Sequence, residues 1–321
     1  MFKNTDFPKA KKYWYEGKYY DWDTAVLHPM THGLHYGNSV FEGIRAYKTE
    51  KGPAVFQLEK HIDRFMRSAG VLKMDVSYSK QEIIDIILDV MKVNQLESAY
   101  IRPLLFYSYG NLGLIPKTSP VELLVGAWQW GAYLGENQEK GVHIYILPWR
   151  RVHHSQYDMS AKLGGIYVQS TICGLMAREK GCDEALFLNL EGRVAEGPGE
   201  NIFIVKEGVL KTNDSSESVL KGITRTSILK MAEDIGIPTR VESISKQELK
   251  DADEAFFTGT AAEIAPITRI KDGSEKGAPE EESVIGDGKP GEISQKISRA
   301  YQDCVRGKLK EYENWLTYVT P

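Results

Sequence analysis

One lysine in this chain is badly placed to be a surface charge. It lies in Asp158-Met159-Ser160-Ala161-Lys162-Leu163-Gly164-Gly165, among small and apolar neighbours and beside a glycine pair. A lysine withdrawn from water gives up its proton more readily, and the neutral amine attacks carbonyl carbon. The same residues suit an ordinary lysine at a loop edge, because most lysines stay exposed. Three segments downstream bear on the choice. Glu196-Gly197-Pro198-Gly199-Glu200-Asn201 sets two carboxylates in a glycine-rich turn, which permits close approach to a ligand or simply a tight reversal. Gly222-Ile223-Thr224-Arg225 opens a helix and offers backbone N–H groups to a phosphate, or is N-capped by Thr224. Thr258-Gly259-Thr260-Ala261-Ala262-Glu263 makes a second turn with hydroxyls and amides.

Each signal alone is weak. Together they supply an amine for an aldehyde, a carboxylate for a pyridinium N–H and two phosphate-type turns. Those are the groups that pyridoxal phosphate (PLP) requires. A metal site is not expected. His153 and His154 are adjacent, so their side chains diverge, and no Cys/His spacing accompanies them.

Elements must position these groups. An apolar stripe of Leu58, Ile62, Phe65, Met66 and Ala69 predicts a helix over Leu58–Val71. Ser79-Lys80-Gln81-Glu82 is a capping box that opens a second helix, with Ile83, Ile84, Ile87, Val90 and Met91 on one face. The run 123–128 reads as a buried strand, and the glycine-rich 131–138 as a connection between domains. A strand at 142–147 follows. A helix is expected from Tyr167 to Lys180, ending at Gly181. Hairpin-like pairs are expected to turn at Glu191-Gly192 and Glu207-Gly208. The stretch 271–291 reads as an exposed excursion, and a charged helix over 293–315 closes the chain.

With 321 residues, 42% hydrophobic and 26% charged, the chain suits a globular protein of two domains. The expected division is 1–130, a connection at 131–138, and 139–321, in an α/β (α+β) fold. A formal net charge of −4 argues against a broad nucleic-acid or anionic-membrane surface. No apolar run is long enough to span a membrane, and the first residues lack the apolar core of a secretory signal. Cys173, Cys182 and Cys304, without C-x-x-C spacing, suit reduced thiols in a cytoplasm.

The chain resembles the branched-chain amino acid aminotransferases, from Trp14 to about Ile267. The resemblance is carried by HYGNSVFEGIRAY (35–47), SAYIRPLLF (98–106), WGAYLG (130–135), SAKLGG, EGPGEN, GITR and GTAAEI. It implies the type IV fold of PLP enzymes, with a smaller N-terminal α/β sandwich and a larger, β-barrel-like C-terminal domain carrying the lysine. By that resemblance Lys162 would bind the cofactor covalently and move the proton. Glu196 would pair with the ring nitrogen and Tyr167 with the phenolic oxygen. Arg64 would bind the phosphate with the amides of Ile223 and Thr224 and the Thr260 hydroxyl. Read from the helical period alone, Arg64 falls off the apolar stripe as a solvated arginine.

The resemblance also implies a substrate side. Tyr100 would hold the α-carboxylate with the amides of Thr260 and Ala261. Phe41, Trp130, Tyr133 and Tyr36 would line an apolar pocket, with Arg102 at its rim for the side-chain carboxylate of glutamate. Tyr100 and Arg102 lie two apart on a strand and so face the same way. Pro103 beside them predicts an edge strand or a strand end. The implied reaction is transfer of the amino group of leucine, isoleucine or valine to 2-oxoglutarate by a ping-pong route, in a homodimer or a higher assembly such as a hexamer.

Three places depart from the bacterial pattern. Ile166 precedes Tyr167 where an asparagine is common, the loop Asn111–Pro116 is bulkier, and Arg150–Tyr157 is unfamiliar. In the family that loop reaches the neighbouring subunit's pocket, so Leu112 or Leu114 would alter side-chain preference, toward aromatic substrates for example. D-amino acid aminotransferase and aminodeoxychorismate lyase share the cofactor anchors and stand as alternatives. A non-catalytic binder of phosphate ligands is the alternative outside enzymes.

Overall fold

The computed structural model describes residues 10–130 and 140–319. The chain packs as two units. The first comprises Met1–Gly131, Ala161–Gly165 and Asp303–Pro321, and the second comprises Ala132–Ser160 and Ile166–Gln302. The short piece bearing Lys162 therefore packs with the first unit, although it lies beyond residue 131 in sequence. Among the described residues no helix is long and apolar enough to cross a membrane.

The first unit is one sheet with helices. Its elements are β1 (Lys12–Tyr15), β2 (Lys18–Asp21), α1 (His32–Tyr36), β3 (Ser39–Phe41), β4 (Ile44–Thr49), β5 (Gly52–Phe56), α2 (Leu58–Val71), α3 (Lys80–Asn94), β6 (Ala99–Tyr107) and β7 (Val121–Trp128). Leu316–Tyr318 pairs with β5, and the order then runs β4, β6, β7, β1, β2, with β3 also on β6. α2 buries Leu58, Ile62, Phe65 and Ala69 as its stripe predicts, while Met66 is only partly covered. α3 begins at the expected box: Ser79 Oγ accepts from the Glu82 amide, and the Glu82 carboxylate accepts from the Ser79 amide.

β6 corrects the reading of Pro103. It is a central strand, with β7 on one side and both β3 and β4 on the other. One register runs past the proline, from Phe41 opposite Leu104 to Ile44 opposite Ile101, so Glu42 stands opposite Pro103. β3 stops at Phe41 and β4 starts at Ile44, and in that gap the Glu42 amide donates to the Pro103 carbonyl at 3.1 Å. The reciprocal bond needs the N–H that proline lacks, so it is given up, and the pairing divides into β3 and β4 at that point.

The second unit contains β8 (Val142–Arg150), α4 (Tyr167–Glu179), β9 (Glu184–Leu188), β10 (Asn201–Lys206), β11 (Val209–Thr212), α5 (Ile223–Asp234), β12 (Thr239–Val241), α6 (Lys246–Lys250), β13 (Glu254–Gly259), β14 (Glu263–Asp272) and β15 (Glu281–Val284). Its sheet runs β12, β11, β10, β13, β14, β8, β9, with β15 also on β14. The core between strands and helices is aliphatic, with Ile144, Ile146, Leu186, Ile202, Ile204, Ile267 and Phe257 fully enclosed. β10 and β11 form the expected hairpin, with Glu207 and Gly208 at φ 49° and 76°, as a two-residue turn between twisted strands demands. In the other pair Val194–Glu196 lies along β9, where Phe187 exchanges backbone bonds with Ala195 and Glu196.

Two sequence expectations change. Residues 271–291 are less of an excursion than their composition suggests, since β15 pairs with β14 and Ile285 is buried. The closing helix stops at Val305, and a 3-10 turn covers Lys310–Trp315. A 3-10 turn repeats every third residue, so its pattern passes for continued α-helix.

Candidate active site

The expected residues fall into two groups, each described within its own unit. In the first, Lys162 is half-buried on a segment held to the β3 region by its backbone. Its carbonyl accepts from the Phe41 amide at 3.3 Å, its amide donates to Ser68 Oγ at 2.9 Å, and Leu163 bridges Val40. Gly164 permits this approach, because a Cβ there would meet Ser39 Oγ at 2.2 Å. The Lys162 Nζ stands 4.6 Å from the centre of the Phe41 ring, and the Arg102 Cζ stands 4.7 Å from the same ring.

Phe41, Tyr100, Arg102 and Trp130 come together as expected. Arg102 Nη2 donates to the Tyr100 hydroxyl at 3.0 Å, and the Tyr100 and Trp130 rings meet edge-on at 4.6 Å. Gly43 lets Tyr100 sit there, since a Cβ at 43 would fall 2.0 Å from its hydroxyl. Among the described residues the buried Arg102 Nε meets no hydrogen-bond acceptor, and it is a donor of the kind that a ligand carboxylate would satisfy. Tyr36 is placed differently. It is exposed, it stacks near His32 at 4.7 Å, and its hydroxyl donates to the Leu112 carbonyl at 3.0 Å. Tyr133 and the connection at 131–138 lie outside the described residues.

Arg64 is buried, against the solvated reading of its helix position, because it has a counter-charge there. Its Nε and Nη2 donate to the two oxygens of Glu42 at 2.6 and 2.8 Å. His61 Nδ1 lies 2.8 Å from the same carboxylate. Burial alone would raise the Glu42 pKa, but the Arg64 charge and the hydrogen bonds from Arg64 and His61 hold it well below the usual carboxylate range. Burial lowers the His61 pKa, Glu42 works against that, and the charges of Arg64 and Lys162 lower it further. His61 is therefore a neutral imidazole that donates through Nδ1.

The second unit holds Tyr167, Glu196, Ile223, Thr224, Thr260 and Ala261. Tyr167 is the first residue of α4, and Ile166 before it is buried. Glu196 is buried, with Arg151 Nε and Nη2 at 3.0 and 2.9 Å from Oε1. Its Oε2 accepts from the Leu220 amide at 3.0 Å and lies 3.4 Å from Asn201 Nδ2. The N-cap of α5 is Gly222, not Thr224; Thr224 lies buried inside the first turn, and no side chain caps the helix. First-turn amides without a cap are the donors that an anion takes. Thr260 and Ala261 form the β13–β14 turn and are half-buried, and the nearby buried Thr258 hydroxyl has no partner among the described residues.

These groups fit PLP. In the second unit the uncapped helix start and the Thr258 hydroxyl suit a phosphate and the fixed Glu196 carboxylate suits a pyridinium; in the first, Lys162 would supply the amine. A thiol nucleophile does not compete, because burial pushes Cys173 and Cys182 up to about 11 and Cys304 to about 12. Comparison with known proteins agrees. The family model for amino-transferase class IV matches residues 39–270.

The chain belongs to the class IV aminotransferases.

They are PLP enzymes of fold type IV. The branched-chain-amino-acid aminotransferase of Pseudomonas aeruginosa is 42% identical over 308 residues, covering 95% of this chain and 96% of the relative. That of Escherichia coli is 39% identical over 313 residues, covering 97% and 98%. Among solved structures, the T.th. branched-chain amino acid aminotransferase with pyridoxamine 5'-phosphate superimposes with a TM-score of 0.90 at 40% identity, covering 98% of this chain and all of that one. The same enzyme has been crystallised with N-(5'-phosphopyridoxyl)-L-glutamate and with 4-methylvaleric acid, each at a TM-score of 0.89 and 38% identity.

Sequence reasoning missed the supporting residues within each unit. Glu42 was visible only as part of a motif, yet an acid inside the apolar run Val40-Phe41-Glu42-Gly43-Ile44 is itself a signal of a buried partner. Arg151 was hidden in the unfamiliar segment. His61, Ser68 and Asn201 carried no signal that spacing could reveal.

Proposed function

We propose that this aminotransferase moves the amino group of L-leucine, L-isoleucine or L-valine to 2-oxoglutarate, giving branched-chain 2-oxo acids and L-glutamate. The observation that carries the reading is the Phe41 ring, which bears both the Lys162 amine and the Arg102 guanidinium. One aromatic surface thus serves the reacting end and the side-chain pocket. The T.th. relative forms complexes with both a glutamate conjugate and 4-methylvaleric acid, a branched aliphatic chain, and the same duality is inferred here.

When bound, the cofactor supplies an aldehyde carbon for the amine and a protonated ring that accepts electron density. Lys162 Nζ would take the proton from the substrate Cα and return it. Glu196 would hold the ring N–H, Tyr167 the phenolic oxygen, and Arg64, Ile223, Thr224 and Thr260 the phosphate. Tyr100 with the Thr260 and Ala261 amides would bind the α-carboxylate. Phe41, Trp130, Tyr36 and Tyr133 would enclose the aliphatic group, worth about 1.5–3 kcal/mol. Arg102 would receive the second carboxylate of glutamate. Because one pocket serves both partners, the first product leaves before the acceptor enters, which is ping-pong kinetics.

A homodimer, or a larger assembly built from it, is part of this reading, as is a cytoplasmic location. The loop carrying Leu112, Leu114 and Ile115 supports the dimer, since it exposes apolar side chains, at 73% for Leu114. The test is a substrate panel with 2-oxoglutarate as acceptor. L-Leucine, L-isoleucine and L-valine should turn over, and D-alanine and aminodeoxychorismate should not. Lys162→Ala should abolish turnover; full multiple-turnover activity in that variant would sink the assignment.

A further inference from the structure

The tripeptide Phe41-Glu42-Gly43 joins the end of β3 to β4, and each residue touches a different functional group. Phe41 meets Lys162 and Arg102, Gly43 makes room for Tyr100, and Glu42 clamps Arg64. Arg64 is long and has many rotamers, so a guanidinium left to itself spends little time in any one pose. Glu42 removes that freedom. It takes the Nε and Nη2 edges together, and it is fully buried, so water does not compete.

The clamp is itself held. His61, one turn earlier on α2, donates to Glu42 Oε2, and the Glu42 amide is tied to Pro103. Ser68, one turn later, donates to the Arg64 carbonyl at 2.7 Å and accepts from the Lys162 amide at 2.9 Å. Three consecutive turns of α2 thus fix the carboxylate, the arginine and the lysine segment. Glu42 also offsets cationic charge close to Lys162, whose field reaches His61.

We propose that Glu42, locked by His61, is a positioning residue that aims the Arg64 guanidinium at the phosphate group of the cofactor. The proposal rests on Arg64 being a phosphate contact, as read above. A residue acting this way controls affinity for the phosphate and leaves affinity for the ring unchanged. Apo-protein should therefore be titrated with PLP and with pyridoxal, which lacks the phosphate. In Glu42→Gln the PLP affinity should fall about ten- to a hundredfold, the usual scale for losing the partner of a binding group, with pyridoxal affinity unchanged. Adding Glu42→Gln to Arg64→Met should weaken PLP no further.

If Glu42→Gln does not fold, His61→Phe serves instead, and should lower the PLP-to-pyridoxal ratio by about three- to tenfold. Equal weakening of PLP and pyridoxal in either variant would mean a merely structural role and overturn the proposal, as would an unchanged ratio. Arg64→Met leaving the wild-type ratio intact is a separate outcome. It would remove Arg64 from the phosphate and so sink the reading underneath.

Discussion

Among the described residues each unit buries an arginine–carboxylate pair, and the two pairs are proposed to act in opposite senses. In the first unit Glu42 is the support and Arg64 the group proposed to meet the ligand. In the second Arg151 is the support and Glu196 the group proposed to meet it. Both carboxylates are enclosed, and both are bonded on each oxygen. Burying two charges costs several kcal/mol per ion before their attraction is counted, so such pairs are weak as stability devices. What they offer is a charged group in a fixed pose. Phosphate calls for a presented cation and pyridinium for a presented anion, and on the proposed roles each unit would meet its need by burying the opposite charge behind it.

The largest effects should come from breaking that asymmetry. Glu196→Gln should lower kcat/KM about a hundred- to a thousandfold, the scale of losing a preorganised partner for developing charge. Arg151→Met, acting through Glu196, should cost about tenfold in the same steady-state assay. Equal losses would show Arg151 to be more than a support. Next, Gly43→Ala should push Tyr100 from its place, because the added Cβ would lie 2.0 Å from the hydroxyl. A displacement of that size costs about a hundredfold in kcat/KM when it misplaces a binding group; wild-type kinetics would show that Tyr100 is not needed where it stands.

Acid should weaken the first unit in two stages. His61 titrates below its unfolded value of about 6.5, so the unfolded chain takes up that proton first. Its contribution is present at neutral pH and is lost as pH falls below about 6.5, by at most about 1.4 kcal/mol per pH unit. Glu42, whose pKa is depressed, keeps its contribution above the ordinary carboxylate range and loses it progressively as pH falls from that range to its own, lower folded pKa. Urea unfolding of apo-protein at pH 7.5 and 5.5 measures the first stage, and His61→Gln should flatten it. The smallest effect belongs to the second unit. Thr258→Val removes a buried hydroxyl with no partner among the described residues and should stabilise apo-protein by about 1 kcal/mol in thermal melts. Destabilisation would mean that the hydroxyl is satisfied after all.

Legibility differed with the physics of each feature. Helices α2 and α3 were readable because their apolar spacing and a capping box are local, and so was the β10–β11 hairpin at its turn. The neighbourhood of Phe41, Tyr100 and Arg102 was foreseeable only through resemblance, with strand alternation explaining why Tyr100 and Arg102 share a face. Arg64 and Pro103 misled for one reason: a residue's tolerance depends on what stands opposite. Glu42 is 22 positions from Arg64, and the pairings that keep Pro103 inside the sheet come from β3, β4 and β7.

The sequence by itself determined helices α2 and α3, the β10–β11 hairpin and the family, and it singled out Lys162 as the amine proposed to react, because these rest on short-range pattern and motif. Tertiary structure alone decided which charges are buried and which partner holds which. A buried ion is stable only beside its counter-ion, and that pairing is made by residues far apart in the chain. Arg64 with Glu42 and Glu196 with Arg151 are settled by that rule.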